Sequence, residues 1–226
     1  EKAYWLGFIA ADGGISKTGG HKNYNVLSFN LNERDISHLY KIKKALGSSA
    51  KINQVKGVGF GKGTFLSELR INSEKICKDL INQGILPKKS LLLKPPQIDI
   101  AFYKDWIRGY LDGDGSICFN KNGNIQISFV GTKEVLTFID EYLSTGKHKL
   151  SKRNLDSDKN NWSLGFGGTK SIINILHFLY DNSSVYLDRK YEKVLKAYSR
   201  FEKQFSKVSE GELLESRKDE QTETDI

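Results

Sequence analysis

Apolar positions along this chain follow two rhythms, and the same succession of rhythms occurs twice. Residues 4–11, Tyr-Trp-Leu-Gly-Phe-Ile-Ala-Ala, form an unbroken apolar run ahead of Asp12, and the stretch from Trp106 to Gly113 leads up to Asp114 in a similar way. Each predicts a helix that packs in the core. Asn25–Asn32 then alternates, Leu27, Phe29 and Leu31 against Ser28, Asn30 and Asn32, the pattern of a half-buried strand. Ile36, Leu39, Tyr40, Lys43 and Leu46 have helical spacing within 34–46, and Gly47 closes that helix. A strand over 64–71 and a helix over 74–83, N-capped by Ser73 and ended by Gly84, complete the first half.

The second half repeats the plan. After Asn122-Gly123, a hairpin signal, Ile125, Ile127 and Phe129 alternate with Asn124, Gln126 and Ser128. Leu136, Ile139 and Leu143 predict a helix over 133–143, and Trp162, Leu164 and Phe166 mark a strand. Helices are expected over 170–181 and 188–205, the last with Tyr191, Leu195, Tyr198 and Phe201 as its apolar stripe. Each half reads helix, two strands, helix, two strands, helix. The first strand of each pair has the weakest pattern, and Gly14 to Asn25 reads as a loop or frayed hairpin tip. The expected fold class is α+β, with repeats at 1–97 and 98–206 joined through Pro87-Lys88-Lys89-Ser90 and Lys94-Pro95-Pro96, and helices covering one face of antiparallel strands. Residues 207–226 are polar and expected to be disordered.

Charge adds a partner to this picture. Lys and Arg number 35 against 27 Asp and Glu, a net charge of +8, yet residues 201–226 hold four basic and eight acidic side chains. A basic body with an acidic tail points to a polyanionic partner for the body. The two cysteines, Cys77 and Cys118, with no Cys-x-x-Cys or His/Cys cluster, argue against a disulfide framework and a structural zinc site. No apolar run reaches the length of a membrane span and no signal peptide is present, so an intracellular protein with no membrane partner is expected.

The polar strand faces carry Ser28, Asn30 and Asn32 in one half and Asn124, Gln126 and Ser128 in the other, side chains suited to base edges and phosphates. Lys17, Lys22 and Asn25 lie in the first loop, and Lys51, Lys56 and Lys62 precede a strand that contains Arg70. Asn120 and Lys121 stand at the second hairpin tip, and Lys152 and Arg153 fall in a basic stretch over 147–159. Together these form the candidate DNA-binding set. Solvated sheet faces are the plainer reading. Recurrence of amides and lysines at corresponding places in both halves favours DNA, and a strand ribbon fits a major groove.

The two apolar runs carry the candidate chemistry. Small residues recur four apart, Gly7 and Ala11, Gly109 and Gly113, which puts them on one helix face. Such faces let two helices pack backbone against backbone. Gly13-Gly14 and Gly115 are stop signals directly after the acids. If the helices pack side by side, Asp12 and Asp114 emerge next to each other, and adjacent carboxylates call for a divalent cation between them. Ala11 and Gly113, one position earlier, complete the candidate metal-site residues. The plainer reading is two core helices, each ending in an Asp that caps the next turn; repetition at one offset favours the paired site. Lys89 and Lys190 follow their acids at nearly equal separations, within Ile85-Leu86-Pro87-Lys88-Lys89 and Tyr186-Leu187-Asp188-Arg189-Lys190. A lysine beside each acid could orient water or stabilise charge on phosphate; a solvated or phosphate-contacting lysine is the alternative. Spacing leaves open whether Lys88 and Arg189 point inward instead.

These motifs, Leu6-Gly7-Phe8-Ile9-Ala10-Ala11-Asp12-Gly13 and Ile107-Arg108-Gly109-Tyr110-Leu111-Asp112-Gly113-Asp114-Gly115, resemble those of the single-chain, two-repeat LAGLIDADG homing endonucleases. The resemblance extends to about residue 200, through Gly131-Thr132-Lys133-Glu134 and Leu187-Asp188-Arg189-Lys190-Tyr191. It implies pseudo-twofold αββαββα repeats, motif helices at the central interface and strands forming a saddle over DNA. It further implies a monomer in which Asp12 and Asp114 bind Mg2+, replaceable by Mn2+, with Ca2+ supporting binding without cleavage, and which makes a double-strand break in a long asymmetric target. Lys89 and Lys190 match the region of the family's active-site basic residue. Asn32 and Glu33, with Thr132 and Lys133, match its polar residue near the end of the second strand. Ala10 departs from the pattern where the second motif has Asp112, which suggests a local capping role at most for Asp112. No nucleophile opens the chain and no His-Asn closes it, so a free-standing or intron-encoded endonuclease is expected rather than an intein. Similar chains can instead be RNA maturases that assist an intron RNA, or DNA-binding regulators on an inactive scaffold.

Overall fold

The computed structural model of the chain describes residues 1–17, 25–57, 63–143, 147–153 and 159–203. Its first half runs α1 (Lys2–Asp12), β1 (Gly14–Lys17), β2 (Asn25–Asn32), α2 (Ile36–Ala45), β3 (Ile52–Lys56), β4 (Phe65–Ile71) and α3 (Glu74–Asn82). The second runs α4 (Tyr103–Asp114), β5 (Ser116–Phe119), β6 (Ile125–Gly131), α5 (Lys133–Leu143), β7 (Lys147–Lys152), β8 (Trp162–Gly167) and α6 (Thr169–Tyr180), followed by α7 over 188–203. Each half contains one antiparallel four-stranded sheet, in the orders β1-β2-β4-β3 and β5-β6-β8-β7. The fold is α+β and the two halves are copies, the second with one helix more. Lys22, Lys62 and the 207–226 tail lie outside the described residues.

Gly14–Lys17, within the stretch expected as a loop or frayed hairpin tip, is a regular strand paired with Asn25–Ser28. On two helices one residue of the expected apolar stripe faces outward while others pack on the core. On α2 the buried residues are His38, Leu39 and Ile42, and Tyr40 is 56% exposed. On α7 Val194 and Ala197 are buried and Leu195 is 48% exposed. One residue along a helix rotates the side chain by about 100°, and the partner surface, not the most apolar residue, fixes which face is covered.

The core-facing strand residues behave as their alternation requires: Leu27, Phe29, Ile127 and Phe129 are at most 1% exposed. Between the halves, α1 and α4 lie backbone to backbone. A β-carbon on Gly7 would sit 2.0 Å from the Trp106 carbonyl oxygen, and one on Gly109 would sit 2.0 Å from that of Tyr4. A β-carbon on Gly113 would meet the Ala11 β-carbon at 2.3 Å. The interface exists because these positions carry almost nothing.

Candidate active site

Asp12 and Asp114 are the last residues of α1 and α4, and the close crossing brings both helix ends to one level. Gly13 and Gly115 end the helices in extended backbone, with φ −75 and −84. Glycine is needed there for space and not for a left-handed turn. A β-carbon would lie 2.8 Å from the Ile9 carbonyl oxygen in one helix and 2.5 Å from that of Leu111 in the other.

Each helix end is closed by the buried lysine of its own half. Lys89, in a 3-10 turn (Lys89–Leu91) that follows Lys88 at φ 57, donates to the Ala11 carbonyl at 2.7 Å. Lys190, near the start of α7, donates to the carbonyls of Leu111, Asp112 and Gly115 at 2.7 Å and Gly113 at 3.1 Å. Cations at helix C-termini satisfy orphan carbonyls and the negative end of the dipole. Lys88 is exposed, while Arg189 turns away to pair with Asp35 through contacts of 3.0 to 3.3 Å.

Both acids reach solvent, yet protein crowds them on their inner sides. That partial desolvation, with the Asp114 charge as second cause, raises the Asp12 carboxyl to about 6 against the pull of Lys190 and Lys89. Desolvation raises Asp114 as well, opposed by Lys89 and Lys190. Burial lowers Lys89, and it lowers Lys190 to about 8 against the attraction of Asp112 and the two acids. Beside Asp114 and Lys89 opens a cleft of about 220 Å³ that reaches Ser90, Arg153 and Asn161. Two carboxylates, two ammonium groups and this cleft are the chemical content of the site.

Four residues expected to border it are engaged elsewhere. Thr132 is fully buried, donates to the Leu93 carbonyl at 2.7 Å and accepts from the Val135 amide. Asn32 accepts from the Arg34 amide, Glu33 from Gln54, and Lys133 lies 5.2 Å over the Trp162 ring. Asp112, expected to cap locally, is instead a long-range junction. It is 1% exposed and accepts from the hydroxyls of Tyr4 (2.7 Å) and Tyr180 (2.6 Å) and the Leu187 amide (2.8 Å). Such partners, up to 108 positions away, leave no local spacing to read.

Strand register sorts the candidate DNA-binding residues. Ser28, Asn30, Asn32 and Arg70 share the polar face of the first sheet, and Gln126 and Ser128 that of the second; Asn124 is exposed just before β6. Lys17 and Lys56 are in phase with the core-facing Ile15 and Ile52, and Lys152 with Leu150, so these three leave the sheets on the helix side. Asn25 is in phase with Leu27 and holds Glu74 of α3 through its amide and backbone N–H. Its place is under the sheet. Asn120 accepts from the Asn122 and Asn124 amides and so shapes the turn that presents Lys121. Lys51 and Arg153 are exposed just outside their strands. Asn53, Glu68, Lys149 and Ser163 also belong to the polar faces; alternation on the partner strands was the signal for them.

No family model and no curated protein sequence matches the chain. Solved structures do. The LAGLIDADG meganuclease I-AabMI bound to uncleaved DNA aligns over 92% of both chains with TM-score 0.64 at 14% identity. The LAGLIDADG homing endonuclease I-GzeII in complex with its DNA target covers 92% of both with TM-score 0.63 at 13% identity. The I-SmaMI LAGLIDADG homing endonuclease bound to cleaved DNA covers 88% of both with TM-score 0.56 at 13% identity. The chain has the fold of the single-chain LAGLIDADG homing endonucleases.

Proposed function

We propose that the chain is a site-specific homing endonuclease, active as a monomer, that makes a metal-dependent double-strand break in a long asymmetric DNA target. The observation that carries this reading is the pair of solvent-reaching acids at abutting helix ends, Asp12 held near 6 by crowding and by Asp114. A cation between them relieves that repulsion. The solved neighbours bound to DNA and to cleaved DNA support the same reading.

The donor set suits Mg2+. Among the described residues there is no cluster of three or more His, Cys, Asp or Glu, which a closed zinc site would need. Mg2+ is commonly held by one or two carboxylates, with water and substrate phosphate completing the shell. Asp12 and Asp114 would hold it, with the Ala11 and Gly113 carbonyls as neighbours already engaged by Lys89 and Lys190. When bound, the cation supplies a water nucleophile and Lewis-acid stabilisation of phosphate charge. Mn2+ should replace Mg2+, and Ca2+ should support binding alone.

The two lysines divide the work. Lys190 spreads three N–H donors over four carbonyls and fixes the helix end. Lys89 spends one on Ala11 and lines the cleft beside Asp114, where its remaining donors can face a phosphate in the transition state. The polar sheet faces bind the duplex in its grooves and on its backbone. The test is selection from a randomised long-duplex library, for cleavage in Mg2+ and for binding in Ca2+. One sharply defined cut site is expected. Binding without cleavage contradicts the nuclease reading, and enrichment in neither arm contradicts duplex DNA and points to structured RNA.

A further inference from the structure

The second half carries a helix, α7, whose basic residues follow the β5–β6 hairpin from the acid to the tip. Lys190 reaches the Gly115 carbonyl at 2.7 Å, and Lys193 reaches that of Ile117 at 2.8 Å. Lys196 and Arg200 lie over the Phe119 ring, 5.5 and 4.4 Å from its centroid, and Arg200 donates to the Gly123 carbonyl at 3.2 Å. The steps 190, 193, 196 and 200 keep one helix face toward the hairpin. The lengths also match: Lys190 to Arg200 rises about 15 Å of helix, and Gly115 to Phe119 spans about 14 Å of strand.

Among the described residues β5 is an edge strand, paired only with β6. Outward carbonyls on an edge strand need partners, and Lys190 and Lys193 supply them at Gly115 and Ile117. In the first half Lys89 opens a three-residue 3-10 turn instead of a helix, so β1 has no such companion among the described residues. The hairpin tip held by Arg200 is the turn built on Asn120, with Lys121 exposed upon it.

The geometry points to α7 as a splint that holds the β5–β6 hairpin at a fixed distance from Asp114. Arg200 and Lys193, which engage the Gly123 and Ile117 carbonyls, are thereby specificity-determining residues for the half-site under that hairpin. This rests on the DNA reading above. A hairpin tip free to swing accepts several base pairs at the cost of little contact energy; a splinted tip places its side chains against one.

The test is Arg200→Ala in the full chain, an exposed position whose loss leaves the core intact. Hydrogen exchange of the amides over 116–125 should quicken at least about tenfold, with α1, α4 and β1 unchanged. In the duplex selection, base preferences at the outer positions of one half-site should flatten by about tenfold, the loss of one positioned base contact, and the other half-site should keep its own. Unchanged exchange over 116–125 overturns the splint. Faster exchange with an unaltered target profile, or a uniform loss across both half-sites, overturns its role in specificity. If the parent chain enriches no duplex the nuclease reading falls and the specificity role with it, while the exchange result still decides whether α7 holds the hairpin.

Discussion

The Asp112 carboxylate accepts a 2.7 Å hydrogen bond from the Tyr4 hydroxyl and so ties α4 to α1. Its bonds from Tyr180 and the Leu187 amide extend the tie to α6 and to the segment leading into α7. Replacing Asp112 by Ala copies the residue at the matching position of the first motif, Ala10, which makes it look harmless. The Tyr180 hydroxyl and the Leu187 amide would lose their acceptor, each worth about 1–3 kcal/mol when left unsatisfied, and the Tyr4 hydroxyl would keep only His38 Nε2, at 3.2 Å. Asp112→Ala is expected to lose about 3 kcal/mol or more in urea unfolding, and cleavage should fall with it because Leu187 is three residues from Lys190. A loss under 1 kcal/mol would show that the junction is dispensable.

Gly109→Ala puts a β-carbon 2.0 Å from the Tyr4 carbonyl oxygen and 2.9 Å from the Phe8 amide nitrogen. Backbone atoms cannot step aside as a side-chain tip can, so α1 and α4 must separate. Overpacking of this kind costs about 1–3 kcal/mol or more, and it moves the two acids apart. Cleavage of the selected target is expected to drop more than tenfold. The control is Gly14→Ala, whose β-carbon meets nothing nearer than the Ser28 hydroxyl at 3.6 Å; it should cut at the parental rate.

The motif helices were legible in the sequence because their determinants are local. Small residues four apart and an acid before glycine are consequences of one helix face and one helix end. The strands were legible where one face is buried, as at Leu27, Phe29 and Leu31. Gly14–Lys17 was not, because its strand character comes from pairing with Asn25–Ser28 and its own residues carry little pattern. Tyr40 and Leu195 misled because an apolar side chain can ride the outer face of a helix. Asn25 misled for a different reason: its phase matches Leu27, and only the register shows that the amide meets Glu74. The Asp35–Arg189 ion pair spans 154 positions, and no periodicity reports such a partner. At the site, the acids could be named from the motif, whereas the unequal duties of Lys89 and Lys190 depend on which carbonyls each ammonium reaches.

Asp12→Asn should stabilise the fold at neutral pH. The Asp12 carboxyl is raised from 3.8 to about 6, so between these values the folded chain binds more protons than the unfolded one. Stability from this group is full below pH 3.8 and is lost as pH rises through 6. The shift corresponds to about 3 kcal/mol, discounted to about 1 kcal/mol for a solvent-reaching carboxyl. The variant should therefore melt higher than the parent at pH 7.5 and equal to it near pH 4. A variant less stable at pH 7.5 contradicts the strained pair.

His38 gives the opposite slope. Its ring lies 4.5 Å from that of Phe8, and burial first, then Lys41, pushes its pKa down from 6.5 to about 3. The unfolded chain protonates this ring as pH falls through 6.5, and the folded chain does so only near 3. Stability is full above 6.5 and declines toward pH 3 by up to about 1.4 kcal/mol per unit. In His38→Phe the urea midpoint should change less between pH 7 and 5 than it does in the parent. Parallel curves would contradict a buried neutral ring.

The central claim is that Asp12 and Asp114 act as one metal-binding pair in cutting DNA. The most direct measurement compares the parent with Asp12→Asn and Asp114→Asn on the target recovered by selection, for binding in Ca2+ and cleavage in Mg2+. The account predicts that both variants bind at least as tightly as the parent and that neither makes a double-strand break. A variant that still cuts both strands at the parental rate contradicts it.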